Sequence, residues 1–129
     1  MTESKRDIGE RVRREVMSDP FVDRALNNTT DFDHDLQGMV MEMAWGNTWA
    51  RDENIIPRKI RSLLTISMLA AMRATDELKG HVRGALRNGC SKEEIKEALL
   101  HVAPYAGCPA SIGAFRAAKE IIEEWEKSE

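Results

Sequence analysis

The protein has 129 residues, the size of one ordinary domain, and its 42% hydrophobic and 32% charged residues are typical of a folded globular chain. The net charge of −3 argues against sequence-independent binding to nucleic acids, which normally requires a basic face. The sequence contains no run of about 18 apolar residues, so no transmembrane helix is predicted.

Helical periodicity runs through the amino-terminal half of the sequence. The charged amino terminus lacks the apolar core of a signal peptide, so we expect a cytoplasmic protein. A highly charged helix is predicted over residues 5–16, followed by a short helix over residues 21–26 with Asp19 as its N-cap. The spacing of apolar residues then predicts one helix over residues 32–49.

The carboxyl-terminal half carries stronger boundary signals. A helix over residues 58–72 is apolar nearly all round, which predicts a position at the centre of the core or of an interface. The helix over residues 75–87 is followed by Gly89, which is typical of a left-handed helix end. Ser91 and Glu94 have the spacing of a capping box and predict the start of another helix.

A last helix is predicted over residues 110–125, and no stretch alternates as a strand would. We therefore predict a single all-α domain over residues 1–129 with six or seven helices. A small domain gains core by sharing one with other copies, so the apolar helix over residues 58–72 also favours a homo-oligomer.

The two cysteines, Cys90 and Cys108, do not form a Cys-x-x-Cys motif, and with three histidines no zinc-type ligand spacing exists. We predict two reduced thiols, with a redox pair as the alternative. Cys108 precedes a predicted helix, where the helix dipole can lower a thiol pKa, although a small apolar residue in the core explains it as well. No metal site and no cofactor are predicted.

Glu77 and His81 are four residues apart on one predicted helix and therefore share a face. A carboxylate beside an imidazole can fix its tautomer and raise its pKa, which suits proton transfer near neutral pH. The alternative is an ordinary surface pair of the kind that is common on helices.

Two further pairs are candidates for a binding site. Arg58 and Arg61 could hold a dicarboxylate, because guanidinium groups bind carboxylates bidentately, or they could pair with Asp52 or Glu53 or line solvent at the helix end. Trp45 and Trp49 could line a ligand pocket, or they could fill a core or an interface.

Three ordered blocks of the sequence, together with its opening, resemble the carboxymuconolactone decarboxylase family. The first block is MAWGNTWAR at residues 43–51, and the second is RKIRSLLTISMLAA at residues 58–71. The third extends from ELKGHVRGALRNG at residues 77–89, through SKEEI at 91–95, to YAGCPA at 105–110. The resemblance covers nearly the whole chain, and the blocks are specific in combination.

The resemblance implies a helical fold shared with alkylhydroperoxidase D, assembled as trimers or hexamers. It also implies decarboxylation of a small anionic lactone, 4-carboxymuconolactone, to 3-oxoadipate enol-lactone without a cofactor. On this hypothesis His81 is the proton donor or oxyanion partner, and Glu77 orients it. The substrate-binding residues implied are Arg61, Arg58, Arg51, Trp45 and Trp49.

Two departures from related patterns bear on the substrate and on the alternatives. Arg116 follows Ala-Phe in the last helix, where the decarboxylases commonly have a histidine; it could bind a carboxylate instead, or it could mark another lactone or acid as substrate. Alkylhydroperoxidase D has a Cys-x-x-Cys motif where this chain has Ala74 and Glu77, so its disulfide mechanism cannot operate there.

The alternatives that remain open are a peroxidase or reductase that uses Cys90 or Cys108, and a non-catalytic helical binding or assembly module.

Overall fold

The computed structural model describes residues 2–128, and within these the chain is helical throughout, with no strand. Seven α-helices and one π-helix follow one another along the chain: α1 Lys5–Met17, α2 Asp19–Asn27, α3 His34–Val40, the π-helix Met41–Trp49, α4 Arg58–Ala71, α5 Thr75–Arg87, α6 Lys92–Ala106 and α7 Cys108–Lys127. The all-α prediction is therefore confirmed. The chain divides into two compact units, an N-terminal unit (Met1–Arg58) and a C-terminal unit (Lys59–Glu129), and the prediction of a single domain stays a prediction.

One serine joins the first two helices. Ser18 has φ of +94°; its N–H donates to the carbonyl of Arg14 and thereby ends α1, while its Oγ accepts from the N–H of Phe21 at 3.4 Å and begins α2. The prediction of Asp19 as the N-cap is wrong by one residue. Asp19 instead accepts a hydrogen bond from Arg14 at 3.1 Å.

The helix predicted over residues 32–49 is two elements, because α3 passes directly into the π-helix Met41–Trp49. The wider winding is visible at its end, where the N–H of Ala50 donates to the carbonyl of Trp45, five residues back, at 3.0 Å. An apolar pattern cannot distinguish this winding from an ordinary helix, so the prediction of a continuous α-helix is wrong.

Two glycines let the π-helix approach α1 at backbone distance. A Cβ on Gly9 would lie 2.0 Å from the carbonyl oxygen of Met41, and one on Gly46 would lie 2.3 Å from that of Lys5. No side chain fits at either place. The contact between α1 and the π-helix is thus made by backbone, with Val12, Val16, Trp45 and Trp49 packed beside it.

In the C-terminal unit, a hydrogen bond connects the end of α5 to the start of α4. Asn88, at the end of α5, donates from Nδ2 to Ser62 Oγ near the start of α4 at 2.9 Å, so the two helices run antiparallel. Ile66 and Ala70 of α4 are buried, whereas Leu64 and Met68 are about half exposed. The prediction that this helix lies at the centre of the core of its own chain is therefore wrong, and the prediction of an interface stays a prediction.

The core of the C-terminal unit is built on small residues of α7, among them Ala114, Ala117 and Ala118. Lys79 and Arg83 of α5 pair in the same order with glutamates of α7 one turn apart, so α5 and α7 run parallel. The predicted helix boundaries before α6 are confirmed: Gly89 has φ of +91°, and the capping box that opens α6 at Ser91 is present.

Candidate active site

Helix α5 carries the predicted glutamate–histidine pair along the edge of its buried face. Leu78 and Val82 are fully buried in the core and fix the rotation of the helix. Glu77 is exposed and His81 is partly buried, one helical turn apart on the same side. This arrangement presents a carboxylate at the surface and an imidazole at the boundary of the core, where a proton can be passed to a bound molecule.

Arg61 of α4 is half-buried and makes no ion pair with any carboxylate in residues 2–128. Its Nε is buried and has no hydrogen-bond partner. A buried donor without a partner costs free energy, and a carboxylate ligand is the group that a guanidinium binds most favourably. Arg61 is therefore equipped to bind an anionic ligand.

Arg58 differs from Arg61 because its own chain already provides carboxylates. Its Nη1 donates to Glu15 at 2.9 Å, and its Nε, which like that of Arg61 has no hydrogen-bond partner, lies 3.5 Å from Glu53. The alternative stated for Arg58, pairing with a neighbouring acidic residue such as Glu53, is confirmed. Of the two arginines proposed for the clamp, only Arg61 lacks a carboxylate partner.

Arg61 lies near the start of α4, level with the end of α5, whereas His81 lies at the middle of α5. Ser62 contacts Asn88, and His81 precedes Asn88 by seven residues, which is about 10 Å along the helix axis. A guanidinium on its flexible stem covers much of that distance. A ligand held by both would have to extend along α4 and α5 rather than sit at one point.

Trp45 and Trp49 are buried in the N-terminal unit, with ring centroids 5.0 Å apart and planes at 21°. They pack with Val12 and Val16 of α1, so they are part of a core, and a role as the wall of a ligand pocket stays a prediction. Arg51, just after the π-helix, is exposed.

Arg116 is exposed on α7 and lines a groove of about 520 Å³ between α6 and α7. His81 and Arg61 do not line this groove. Of the predicted site residues in the C-terminal unit, Arg116 therefore lies apart from Arg61 and His81.

Arg13 is a buried charge of the N-terminal unit for which the sequence predicts no role. Only 8% of Arg13 is exposed; its guanidinium lies between the rings of Phe21 and Trp45, and Nη1 donates to Gln37 Oε1 at 3.1 Å. Burial lowers its pKa, and no described carboxylate compensates its charge. The signal was its place in the sequence next to Val12 on the buried stripe of α1.

The two thiols are free and differ in environment, and their free state agrees with the prediction of reduced cysteines. Cys90 is buried and donates to the carbonyl of Lys59 at 3.4 Å; burial raises its pKa to about 11, helped by the charge of Glu94. Cys108 is exposed as the first residue of α7. A thiolate is needed for nucleophilic or redox chemistry, and the environment of Cys90 opposes its formation.

Residues 2–128 contain neither a cluster of metal ligands nor a helix that could span a membrane. No group of three or more His, Cys, Asp or Glu side chains is arranged to hold a metal ion. None of the described helices combines the length and the apolar character needed to cross a bilayer.

Comparison with known proteins assigns the chain to a family. Residues 34–120 match the carboxymuconolactone decarboxylase family. The chain is 42% identical over 116 residues to 4-carboxymuconolactone decarboxylase of Acinetobacter baylyi, an alignment that covers 90% of this chain and 85% of that protein. It is 40% identical over 118 residues to nitrosuccinic acid decarboxylase of Metarhizium robertsii, covering 92% and 81%. The chain belongs to the carboxymuconolactone decarboxylase family.

Proposed function

We propose that the protein is a carboxy-lyase that decarboxylates 4-carboxymuconolactone to 3-oxoadipate enol-lactone in the cytoplasm, as a homo-oligomer of three or six copies. The family supports the reaction class, and the relative of Acinetobacter baylyi carries the name of this reaction. The observation that carries the proposal to this chain is Arg61, a half-buried guanidinium without a carboxylate partner on the helix that packs beside the one bearing His81.

The reaction makes few demands on a protein. When the carboxylate leaves as CO2, its bonding electron pair moves through the conjugated double bond into the lactone carbonyl and gives a dienolate. A proton is then added to carbon. The substrate itself accepts the electrons, so this route needs no cofactor. The protein must hold the anionic groups, stabilise the developing oxyanion and deliver one proton.

His81 would supply that proton, and Glu77 would hold the imidazole in the tautomer and orientation that the transfer needs. Arg61 would bind the carboxylate that remains on the substrate, and Arg51 or Arg116 would be available for a second anionic group. Trp45 and Trp49 would provide an apolar wall that excludes water. In this proposal Arg58 has a structural role, because it already forms ion pairs with Glu15 and Glu53.

The direct test is incubation of the purified protein with 4-carboxymuconolactone while CO2 release and loss of substrate absorbance are followed. We expect turnover, and we expect His81→Gln to lower kcat by a factor of about 10² to 10⁴, the usual contribution of a general acid. The matched control is His101→Gln, which changes an exposed histidine of α6 and should leave the rate unchanged. An unaltered rate in His81→Gln would remove His81 from the mechanism.

The two arginines give a second, internal comparison. Arg61→Met should raise KM by about ten-fold or more because it removes a charge-assisted contact to the substrate. Arg58→Met should instead lower thermal stability and leave KM nearly unchanged, since its partners are Glu15 and Glu53. The reverse pattern would show that Arg58, and not Arg61, binds the substrate.

Nitrosuccinate is the second substrate to test, because the relative of Metarhizium robertsii is named for it. It shares with the lactone a carboxylate that can leave and a neighbouring group that accepts the electron pair. Release of CO2 from nitrosuccinate but not from the lactone would support decarboxylation as the reaction type and reject the lactone as the substrate. Release from neither would contradict the proposal.

Thiol chemistry is the alternative reaction class. The raised pKa of Cys90 leaves Cys108 as the accessible thiol of the two. We expect the variant with both Cys90→Ser and Cys108→Ser to keep its decarboxylase activity. Loss of all activity in Cys108→Ser alone would instead favour a peroxidase or reductase.

A further inference from the structure

The N-terminal unit exposes a row of large apolar side chains along one helical face. Phe32, which is 98% exposed, precedes α3, and Leu36, Met39 and Met43 follow at intervals of four, three and four residues, each more than half exposed. The carboxylates of Asp31, Asp35 and Glu42 flank this row and are exposed as well. We refer to these seven residues as the acidic stripe. Its apolar members have no cover within the described chain.

The C-terminal unit contains a depression of opposite charge, the groove of about 520 Å³ between α6 and α7, called here the basic groove. Its apolar lining consists of Ile95, Leu99, Phe115, Ala118 and Ile122. Charged residues complete the lining: Lys92, Lys96, Arg116, Lys119, Glu123 and Glu126. Lys92 lies 3.8 Å from Glu126, so this pair compensates itself, and among the other four charges three are positive and one is negative.

The two surfaces agree in polarity and charge. The stripe runs through a turn, α3 and the start of the π-helix, so its middle part is an α-helix. Apolar side chains would meet the apolar lining, while the carboxylates would meet Lys96 and Lys119. An amphipathic helix that lies in an apolar groove is a recurrent mode of protein recognition.

We propose that the acidic stripe of one copy of this protein occupies the basic groove of a second copy. The stripe and the groove are different patches of the chain, so two copies either exchange them reciprocally in a dimer or pass the contact from copy to copy in a ring or a filament. The inference rests on the homo-oligomer included in the proposed function and names the surfaces that build it; it does not depend on the substrate.

The test is a charge exchange read by light scattering and sedimentation. The double variants Asp35→Lys/Glu42→Lys and Lys96→Glu/Lys119→Glu should each weaken self-association by about ten-fold or more, since like charges then face one another. An equimolar mixture of the two should recover association to within about three-fold of the native protein, because the positive stripe of the first variant meets the negative groove of the second. The unchanged stripe of the second variant also meets the unchanged groove of the first, so the two variants associate with each other and not with themselves.

The matched control is Lys5→Glu/Lys127→Glu, which reverses two exposed lysines outside both surfaces and should leave association unchanged. Circular dichroism and thermal melting establish that each variant is folded.

Three outcomes would overturn the inference. A native protein that is monomeric would remove both the oligomer and its interface. An oligomer that survives both double variants would keep the oligomer and reject these surfaces. An oligomer that is broken only by Leu64→Asp and Met68→Asp would transfer the interface to the exposed side of α4. None of these outcomes affects the decarboxylation assay, so the failure of this inference and that of the proposed reaction are distinguishable.

Discussion

The interior of the N-terminal unit and the interior of the C-terminal unit are packed in different ways. In the N-terminal unit, α1 and the π-helix touch through backbone atoms at Gly9 and Gly46, and large side chains such as Trp45 and Trp49 fill the space beside that contact. In the C-terminal unit, no such backbone contact is needed, because alanines of α7 pack against branched side chains of α5 and α6.

The two units also treat charge differently. The N-terminal unit buries Arg13 between two aromatic rings without a carboxylate, whereas the C-terminal unit keeps its ion pairs exposed, as in Lys79–Glu120 and Arg83–Glu124. A close backbone contact tolerates no change in volume, while a packed side-chain core and an exposed ion pair adapt in part. We therefore expect the N-terminal unit to be the more sensitive to small substitutions.

The largest effect is expected for Gly9→Ala in the N-terminal unit. The new methyl group would lie 2.0 Å from the carbonyl oxygen of Met41, so α1 and the π-helix must separate. We expect a loss of about 3 kcal/mol or more in the free energy of unfolding, measured by urea titration. Gly38→Ala is the control, because its Cβ meets only the mobile end of Arg6 at 3.2 Å, and it should be neutral or stabilising. Equal losses in both would reject the backbone contact.

A smaller effect is expected for Ser91→Ala at the start of α6 in the C-terminal unit. Ser91 Oγ accepts from the N–H of Glu94 at 3.0 Å, and removal of an N-cap costs about 1 kcal/mol. Ser4→Ala at the start of α1 is the comparison in the other unit, since Ser4 caps its helix without the reciprocal bond of a capping box. Differential scanning calorimetry should show the larger decrease in Tm for Ser91→Ala.

The capping box should also make stability depend on pH. The hydrogen bond from the N–H of Ser91 and the nearby Lys59 lower the pKa of Glu94 below its unfolded value of 4.5. A lowered pKa contributes stability above pH 4.5, and this contribution is lost as the pH falls through the folded pKa. Glu94→Gln should therefore be less stable than the native protein at pH 6, and the difference should shrink towards pH 3.

Glu97→Gln, which changes an exposed glutamate of the same helix, is the control for that comparison. A difference between native protein and Glu94→Gln that grows on acidification would reverse the assigned sign.

The smallest effect is expected for the exposed ion pairs between α5 and α7. A double-mutant cycle on Lys79 and Glu120, which lie 2.9 Å apart, should give a coupling energy of about 0.5 kcal/mol that decreases with added salt. A coupling of several kcal/mol that resists salt would mean that this pair is desolvated. The contrast between the two units would then be weaker than the structure indicates.

The sequence predicted most where a boundary depends on local chemistry. The capping box at Ser91 and the left-handed Gly89 were both recognisable, because each is encoded by residues within a few positions of one another. Helical periodicity along the whole sequence predicted the all-α fold class, and the family resemblance agreed with it. The π-helix could not be predicted, since its apolar pattern is that of an ordinary helix and its close contact with α1 at Gly46 involves a distant part of the sequence.

In the candidate site, too, the features encoded by neighbouring residues were predictable and those that depend on distant residues were not. The spacing of Glu77 and His81 on one helix face was readable from the sequence, because the helix period fixes it. The difference between Arg58 and Arg61 cannot be predicted from the sequence, since it depends on Glu15, a residue 43 positions away that pairs with Arg58. The burial of Arg13 had one signal, its place next to Val12 on the buried stripe of α1, and the many charges of that helix obscure it.

The π-helix has a consequence for how this protein can change its length. A wide turn of this kind holds one residue more than an ordinary helical turn, so removing one residue would restore ordinary winding and leave the later side chains, Trp49 among them, in nearly the same directions. In an ordinary α-helix the same deletion would rotate every later side chain by about 100° around the helix axis. Residues 41–49 are therefore the part of this chain where we expect a one-residue deletion to be tolerated best.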